Sequence, residues 1–271
     1  MKFLSLRIPA IIFMIFVVLA FSKSVVSNKN IQIKDGRPNI LIIMVDDMGY
    51  SDLGAYGSEI STPNIDKLAS SGLMMNNFYN AARCCPTRAS LLTGQYQHKV
   101  GLTRNGESMT FNGLTIAEAL KQNGYETAMV GKWHLSKAQP IKNQAEHLKW
   151  LNHQYNPDTV YADVKTYPQN RGFDKFYGII WGVGNCFDPF SLVEGIKTVK
   201  TVSPDYYTTH AFTDKAIEYV NGFKSKPFFM YLAYNAPHWP VQAPEKTIKK
   251  YENTYLGGWD CLLYTSDAAD E

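Results

Sequence analysis

Cys84 lies in the segment CCPTR, which places a thiol and a guanidinium close together along the chain. The Cys-Cys-Pro turn leads into ASLLTG, which predicts a helix, and a cysteine at the start of a helix is expected to have a lowered pKa. Arg88 follows Cys84 by about one helical turn. A redox pair of Cys84 and Cys85 is less favoured, because a disulfide between adjacent residues is strained. The motif by itself predicts a reactive thiol beside an arginine.

Further polar residues follow predicted buried strands at the points where the strands end. They are Asp46 and Asp47 after the first of these strands, Lys132 and His134 after the second, and His238 after the third. In open α/β sheets, ligands bind outside the carboxyl ends of the strands, so these residues are expected at one rim. Carboxylates in such a place favour a hard cation such as Ca²⁺ or Mg²⁺. Each residue alone has an ordinary structural interpretation, and only their joint order indicates a site.

The apolar pattern predicts the elements that must position these residues. Continuous apolar runs indicate buried strands, and capping residues with apolar periodicity indicate helices. The predicted strands are 39–45, 74–79, 126–130 and 227–234, and the predicted helices are 64–71, 87–93, 115–122 and 212–223. Residues 140–210 are expected to form long loops. Strands that alternate with helices predict an α/β fold, with a mostly parallel sheet and helices on both of its faces.

The composition is that of a globular protein. The 271 residues are 45% hydrophobic and 19% charged, which excludes a disordered or collagen-like chain. The formal net charge of +3, without a dense run of Lys or Arg, argues against nucleic acid as the main partner. Four cysteines are too few for a disulfide scaffold of this length.

Both termini are expected to lie outside the fold. Lys2 and Arg7 precede an uncharged run of 14 residues, 8–21. This run is shorter than the roughly 20 residues that span a membrane. We interpret residues 1–27 as a secretory signal, with an uncleaved anchor as the alternative. The protein is then periplasmic or secreted and has no stable membrane span after cleavage. The segment CLLYTSDAADE, 261–271, resembles an in-frame translation of a sequencing adapter, with a genuine polar tail as the alternative.

Between residues 37 and 260 the chain resembles the N-terminal part of a type I sulfatase of the alkaline phosphatase superfamily. The most specific piece is CCPTRASLLTG, and the others occur in the family's order. They are RPNILIIMVDDMGYSDLGAYG, TPNIDKLASSG, VGKWHL, RGFDKFYG and APHWP. The resemblance implies an arylsulfatase-like hydrolase of small aryl or sugar sulfate monoesters, without choosing between these substrates.

The resemblance also implies a modified nucleophile. Cys84 has Pro two positions later and Arg four positions later, as does the cysteine that a separate maturation enzyme oxidises to Cα-formylglycine in this family. The hydrated aldehyde attacks sulfur and carries the sulfate as a covalent ester. Asp46, Asp47 and the formylglycine are implied to hold Ca²⁺, with Mg²⁺ as the alternative.

The remaining candidates are implied to act on the sulfate and the leaving group. Arg88 and Lys132 would stabilise the formylglycine and the transferring group. His134 would be the base that releases sulfate, and His238 would bind the ester and help to protonate the leaving group.

Two alternatives remain open from the sequence. One is a phosphonate or phosphate ester hydrolase of the same superfamily, and the other is a non-catalytic exported relative. The family also uses a later Asp, Asn and Lys, so the 271-residue polypeptide is expected to be inactive and unstable by itself. Cys85 and Cys186 have no assigned role. Trp181, Phe187 and Trp239 fit either a substrate pocket or the core.

Overall fold

The computed structural model describes residues 36–154, 160–223 and 226–258. The predicted signal, 1–27, and the adapter-like segment, 261–271, lie outside the described residues. Among the helices that are described, none has both the length and the apolar character that crossing a bilayer requires.

The described residues contain a six-stranded sheet, in the order β1-β6-β2-β3-β4-β5. The strands are β1 Ile40–Asp46, β2 Glu126–Gly131, β3 Lys175–Ile179, β4 Leu192–Glu194, β5 Lys197–Thr198 and β6 Phe228–Pro237. Strands β1, β6, β2 and β3 pair in parallel, and β4 and β5 continue the sheet in antiparallel pairs. The prediction of a mostly parallel sheet is confirmed.

Helices cover both faces of this sheet. The described helices are α1 Pro63–Ser71, α2 Cys84–Thr93, α3 Ile116–Gln122, α4 Gln144–Leu151, α5 Thr208–Gly222 and α6 Glu245–Ile248. Of these, α2 and α3 pack on one face of the sheet and α5 packs on the other. Side chains of a strand alternate between the two faces. Phe229 and Tyr231 of β6 therefore join the core under α2 and α3, whereas Met230 and Leu232 join the core under α5. The α/β arrangement with helices on both faces is confirmed.

Three local expectations are wrong. Residues 74–79 are not a strand, and Phe78 and Tyr79 are exposed, because no neighbouring strand in the described part of the chain pairs with them. Strand β1 is not buried on both faces. Leu41 and Ile43 are about half exposed, since α5 packs over β6, β2 and β3. The region 140–210 contains α4 and β3 to β5, which are too short to give a clear periodicity.

Arg171 ties the α3 region to the segment that precedes β3. Its side chain is about 1% exposed. The guanidinium pairs with Glu118 at 3.0 Å and donates hydrogen bonds to the carbonyl oxygens of Thr110, at 3.1 Å, and Gly113, at 2.7 Å. Buried charges of this kind are stable only when fully partnered.

Replacing Arg171 by methionine should therefore lower the free energy of unfolding by about 3–5 kcal/mol, because Glu118 and two carbonyl groups lose their partner. The matched control is Arg104→Met. Arg104 is exposed and, among the described residues, forms its ion pair with Glu107; such a surface pair is worth at most about 1 kcal/mol. Urea denaturation of both variants checks the difference. Equal losses of unfolding free energy in the two variants would show that the buried contacts of Arg171 stabilise the fold no more than a surface ion pair does.

Candidate active site

The carboxyl ends of three adjacent strands meet at one rim. Asp46 ends β1, His238 follows β6, and Lys132 follows β2, and these strands are neighbours in the sheet. The register of β1 against β6 shifts between Val45 and Asp46, so that Asp46 lies opposite Pro237. This irregularity brings Asp46 beside the residue that precedes His238.

Asp46 is the centre of a buried ion network. Its carboxylate accepts a hydrogen bond from Lys132 Nζ, and Arg88 Nη2 lies 3.3 Å from its other oxygen. Asp46, Arg88 and Lys132 are all nearly inaccessible to solvent. Burial raises the pKa of Asp46, but the two cations outweigh burial and hold this pKa below its ordinary value. Asp46 is therefore ionised at neutral pH.

Arg88 also connects α2 to the sheet. Its Nη1 donates to the carbonyl oxygen of Lys132 at 2.7 Å and to the Tyr231 hydroxyl at 3.3 Å. Tyr231 lies on β6 and is fully buried. Tyr231 was not predicted as a site residue, because its place in an apolar strand gives no sign of a polar contact. The two strands thus fix the guanidinium near Asp46.

Cys84 is the first residue of α2 and is partly buried at the pocket. One ligand atom from each of Asp46, Cys84 and His238 lies within 4.8 Å of the others. Burial raises the pKa of the Cys84 thiol, and Lys132 and Arg88 do not reverse this effect. The expectation of a lowered pKa is wrong, because desolvation by burial outweighs the nearby cations.

His134 lies two residues beyond Lys132 in a left-handed conformation, with φ of 54°. Burial is the main cause that lowers its pKa to about 3, and the nearby Lys132 and Arg88 act in the same direction. His134 is therefore neutral at neutral pH. Its buried Nδ1 has no hydrogen-bond partner among the described residues, which leaves this nitrogen available to a ligand.

Gly182 makes room for the imidazole ring of His134. A Cβ atom at residue 182 would lie 2.1 Å from Cε1 and 2.2 Å from Nε2 of this ring. The backbone of residue 134 is held beside β3 by its N–H, which donates to the Ile180 carbonyl oxygen at 3.1 Å. Gly182 was not predicted from the sequence, and the signal that could have indicated it is the glycine-rich segment GVGN.

His238 is oriented by its own chain and faces the second carboxylate. Its Nδ1 lies 2.6 Å from the Trp239 carbonyl oxygen, so Nδ1 carries the proton of this hydrogen bond. Its Nε2 lies 3.6 Å from Asp47. Asp47 has a left-handed φ of 60° and its side chain is exposed. A non-glycine residue in this conformation is uncommon and is typical of functional sites.

A pocket of about 390 Å³ opens onto these residues. Its lining includes Asp46, Asp47, Cys84 and Arg88, which the sequence had selected. It also includes residues that the sequence had not selected, among them Asn80, Arg83 and Asn105. The structure thus brings the sequence-predicted site residues into one region. His134 does not line the pocket, but Lys132, Arg88, Asp46 and His238 all lie close enough to influence its pKa.

The carboxylates of Asp46 and Asp47 fit a hard cation in the chemistry of their donors, and the three-residue group around Cys84 leaves space for one. The thiol is a poor ligand for Ca²⁺ or Mg²⁺, whereas an oxygen at the same place would complete an oxygen donor set. The described residues therefore fit part of a cation site.

The structure also places three of the other residues that the sequence left open. Cys186 is buried, and its Sγ accepts from Asn235 Nδ2 at 3.5 Å. Trp181 packs on Phe190 with ring centroids 4.7 Å apart, which places it in the core. Trp239 is 69% exposed beside His238.

Comparison with known proteins gives a consistent result. The family model described as Sulfatase matches residues 38–261. An uncharacterized sulfatase of Schizosaccharomyces pombe is 33% identical over 86% of this chain, and arylsulfatase J of Mus musculus is 31% identical over 80%. A solved structure described as BT4656 in complex with its substrate D-glucosamine-2-N,6-O-disulfate is 30% identical over 81% of the chain, with a TM-score of 0.62.

The sheet, the site at the strand ends and these neighbours define a protein of the alkaline phosphatase superfamily. Within it, the chain belongs to the sulfatase family. It spans less than half the length of these relatives, covering 44% of the S. pombe protein, 35% of the mouse protein and 38% of the solved chain.

Proposed function

We propose that the complete gene product containing this chain hydrolyses sulfate monoesters and uses Cα-formylglycine made from Cys84 by a maturation enzyme. The observation that carries the proposal is the close group of Asp46, Cys84 and His238 in a chain of the sulfatase family. A neutral thiol with a raised pKa is a poor nucleophile, so the site suits a modified Cys84 better than a thiolate.

A bound cation and the formylglycine would supply two kinds of chemistry. A divalent cation, which we propose to be Ca²⁺ with Mg²⁺ as the alternative, would be held by Asp46, Asp47 and the oxygen at residue 84, and it would polarise the sulfate oxygens. The hydrated aldehyde would supply two hydroxyls on one carbon, one to attack sulfur and one to expel the bound sulfate.

The cationic residues hold this arrangement in place. Lys132 and Arg88 surround Asp46, keep it ionised and add positive charge beside residue 84. Fixed charges of this kind stabilise an anionic transition state without moving during the reaction.

The two histidines are in different protonation environments. His134 is buried and neutral, so it can accept a proton from a hydroxyl at residue 84. His238 has its Nδ1 proton directed to the Trp239 carbonyl oxygen, which leaves Nε2 facing Asp47 and the pocket. In its doubly protonated form, His238 would donate the Nε2 hydrogen bond to the ester oxygen and transfer that proton to the leaving group.

The proposed substrates are aryl or sugar sulfates. The names of the relatives support this class, since one is an arylsulfatase and the substrate of the BT4656 structure is a sulfated glucosamine. We also propose that the protein is exported, on the evidence of the charged start and apolar run in residues 1–21.

The test is hydrolysis of 4-nitrophenyl sulfate by the complete gene product, co-expressed with a formylglycine-generating enzyme and supplied with Ca²⁺. We expect turnover, an aldehyde at residue 84 in the mass spectrum, and loss of both in Cys84→Ala. Cys85→Ser is the matched control and should keep the aldehyde, since the modified position is fixed by Pro86 and Arg88.

Two results would contradict the proposal. Faster cleavage of an aryl phosphonate monoester than of the aryl sulfate would favour the phosphonate hydrolase. An unmodified thiol at Cys84, together with no turnover of either ester, would favour the non-catalytic relative.

A further inference from the structure

One wall of the pocket carries hydrogen-bond donors that the proposed reaction does not use. Asn80, Arg83 and Asn105 line the same pocket as Asp46 and Cys84. They come from two separate loops, one before α2 and one after it. None of the three belongs to the ion network around Asp46.

The two asparagines have their amide oxygens occupied. Asn80 Oδ1 accepts the backbone N–H of Ala82 at 2.7 Å, and Asn105 Oδ1 accepts the backbone N–H of Cys85 at 3.2 Å. These contacts assign the orientation of each amide group. No acceptor for either Nδ2 group is present in the described residues. Both asparagines can therefore donate hydrogen bonds to a bound molecule.

Arg83 adds an uncompensated positive charge. It is exposed, and within the parts of the chain that the structure describes it has no carboxylate partner. Arg88 and Lys132, by contrast, share Asp46 as a carboxylate partner. A guanidinium and two amide N–H groups together match a carboxylate or a sulfate, because each of these anions has several oxygen atoms that accept hydrogen bonds.

We propose that Asn80, Arg83 and Asn105 bind a second anionic group of the substrate, so that the preferred sulfate ester carries a carboxylate or another sulfate on its leaving group. This inference rests on the proposed function. It narrows the substrate class, because the sulfate that is hydrolysed would be bound by residues 46, 84, 88, 132 and 238. Asn80, Arg83 and Asn105 then remain to bind a different anion.

The test compares two substrates of similar size that differ in charge. They are 3-carboxyphenyl sulfate and 3-carbamoylphenyl sulfate, hydrolysed by the complete gene product after maturation with Ca²⁺. The ratio of kcat/KM for the charged over the neutral substrate is measured in the wild type, in Arg83→Gln and in Arg104→Gln. Arg104 is a matched control, because it is an exposed arginine that pairs with Glu107 and does not line the pocket.

We expect the ratio to fall about fivefold in Arg83→Gln and to stay at the wild-type value in Arg104→Gln, as for an exposed charge pair. Any loss of folded protein cancels, since both substrates are assayed on the same preparation. An unchanged ratio in Arg83→Gln would overturn the inference and leave the sulfatase activity intact. Absence of turnover with either substrate and with 4-nitrophenyl sulfate would instead overturn the proposed function itself.

Discussion

Replacing Asp46 by asparagine should lower the free energy of unfolding by about 3–5 kcal/mol at neutral pH, because it leaves Lys132 and Arg88 buried with no counter-charge. The network involves side chains that are almost fully buried, so solvent does not screen the loss. Asp47→Asn is the matched control. It removes the charge of the neighbouring carboxylate, which is exposed and lies 3.6 Å from His238 Nε2. We expect it to lower the free energy of unfolding by at most about 1 kcal/mol.

The measurement is urea denaturation of the metal-free protein in the presence of a chelator, so that the loss of a cation ligand does not contribute. The pH dependence provides a second readout. The pKa of Asp46 is lower in the folded protein than the unperturbed value of 3.8. The stabilisation is therefore full above pH 3.8 and is lost as pH falls through the folded pKa. The difference in unfolding free energy between wild type and Asp46→Asn should become smaller in acid. A difference that does not change with pH would contradict the ionised network.

Replacing Gly182 by alanine should lower kcat for aryl sulfate about 100-fold, because the added Cβ forces the His134 ring out of its place. The Cβ would lie 2.1 to 2.6 Å from three ring atoms, which no side chain tolerates without movement. In the proposed reaction this base acts on the hydroxyl at residue 84, so displacing its ring should remove base catalysis, which is worth about 10²–10⁴-fold.

Gly184→Ala is the control within the same loop. Its Cβ would meet the Phe190 carbonyl oxygen at 3.7 Å, which is an ordinary contact, so near wild-type kcat is expected. Both variants are assayed after maturation, with the formylglycine content measured by mass spectrometry. A common loss in the two variants would show that the loop is generally sensitive, and that Gly182 does not position His134.

The local features of the site were predictable from sequence because short-range backbone geometry creates them. Cys84 and Arg88 lie about one turn apart on α2 as the CCPTR spacing predicted. Asp46 and Lys132 were predicted at the rim because parallel strands present their carboxyl ends at one edge of a sheet. The strand predicted at 74–79 failed for the opposite reason, since a strand requires a partner that its own residues do not specify.

The sequence by itself determined the α/β class, the order of the main strands and helices, and the residue types at the strand ends. Only the tertiary structure decided how these residues act on one another. It paired Asp46 with Lys132 and Arg88, raised the pKa of Cys84, lowered that of His134, and placed Gly182 against the His134 ring. The physical reason is that the secondary structure of a segment, and the spacing of side chains along it, depend on neighbours in the sequence. Desolvation, ion pairing and steric fit depend on residues that come from different elements.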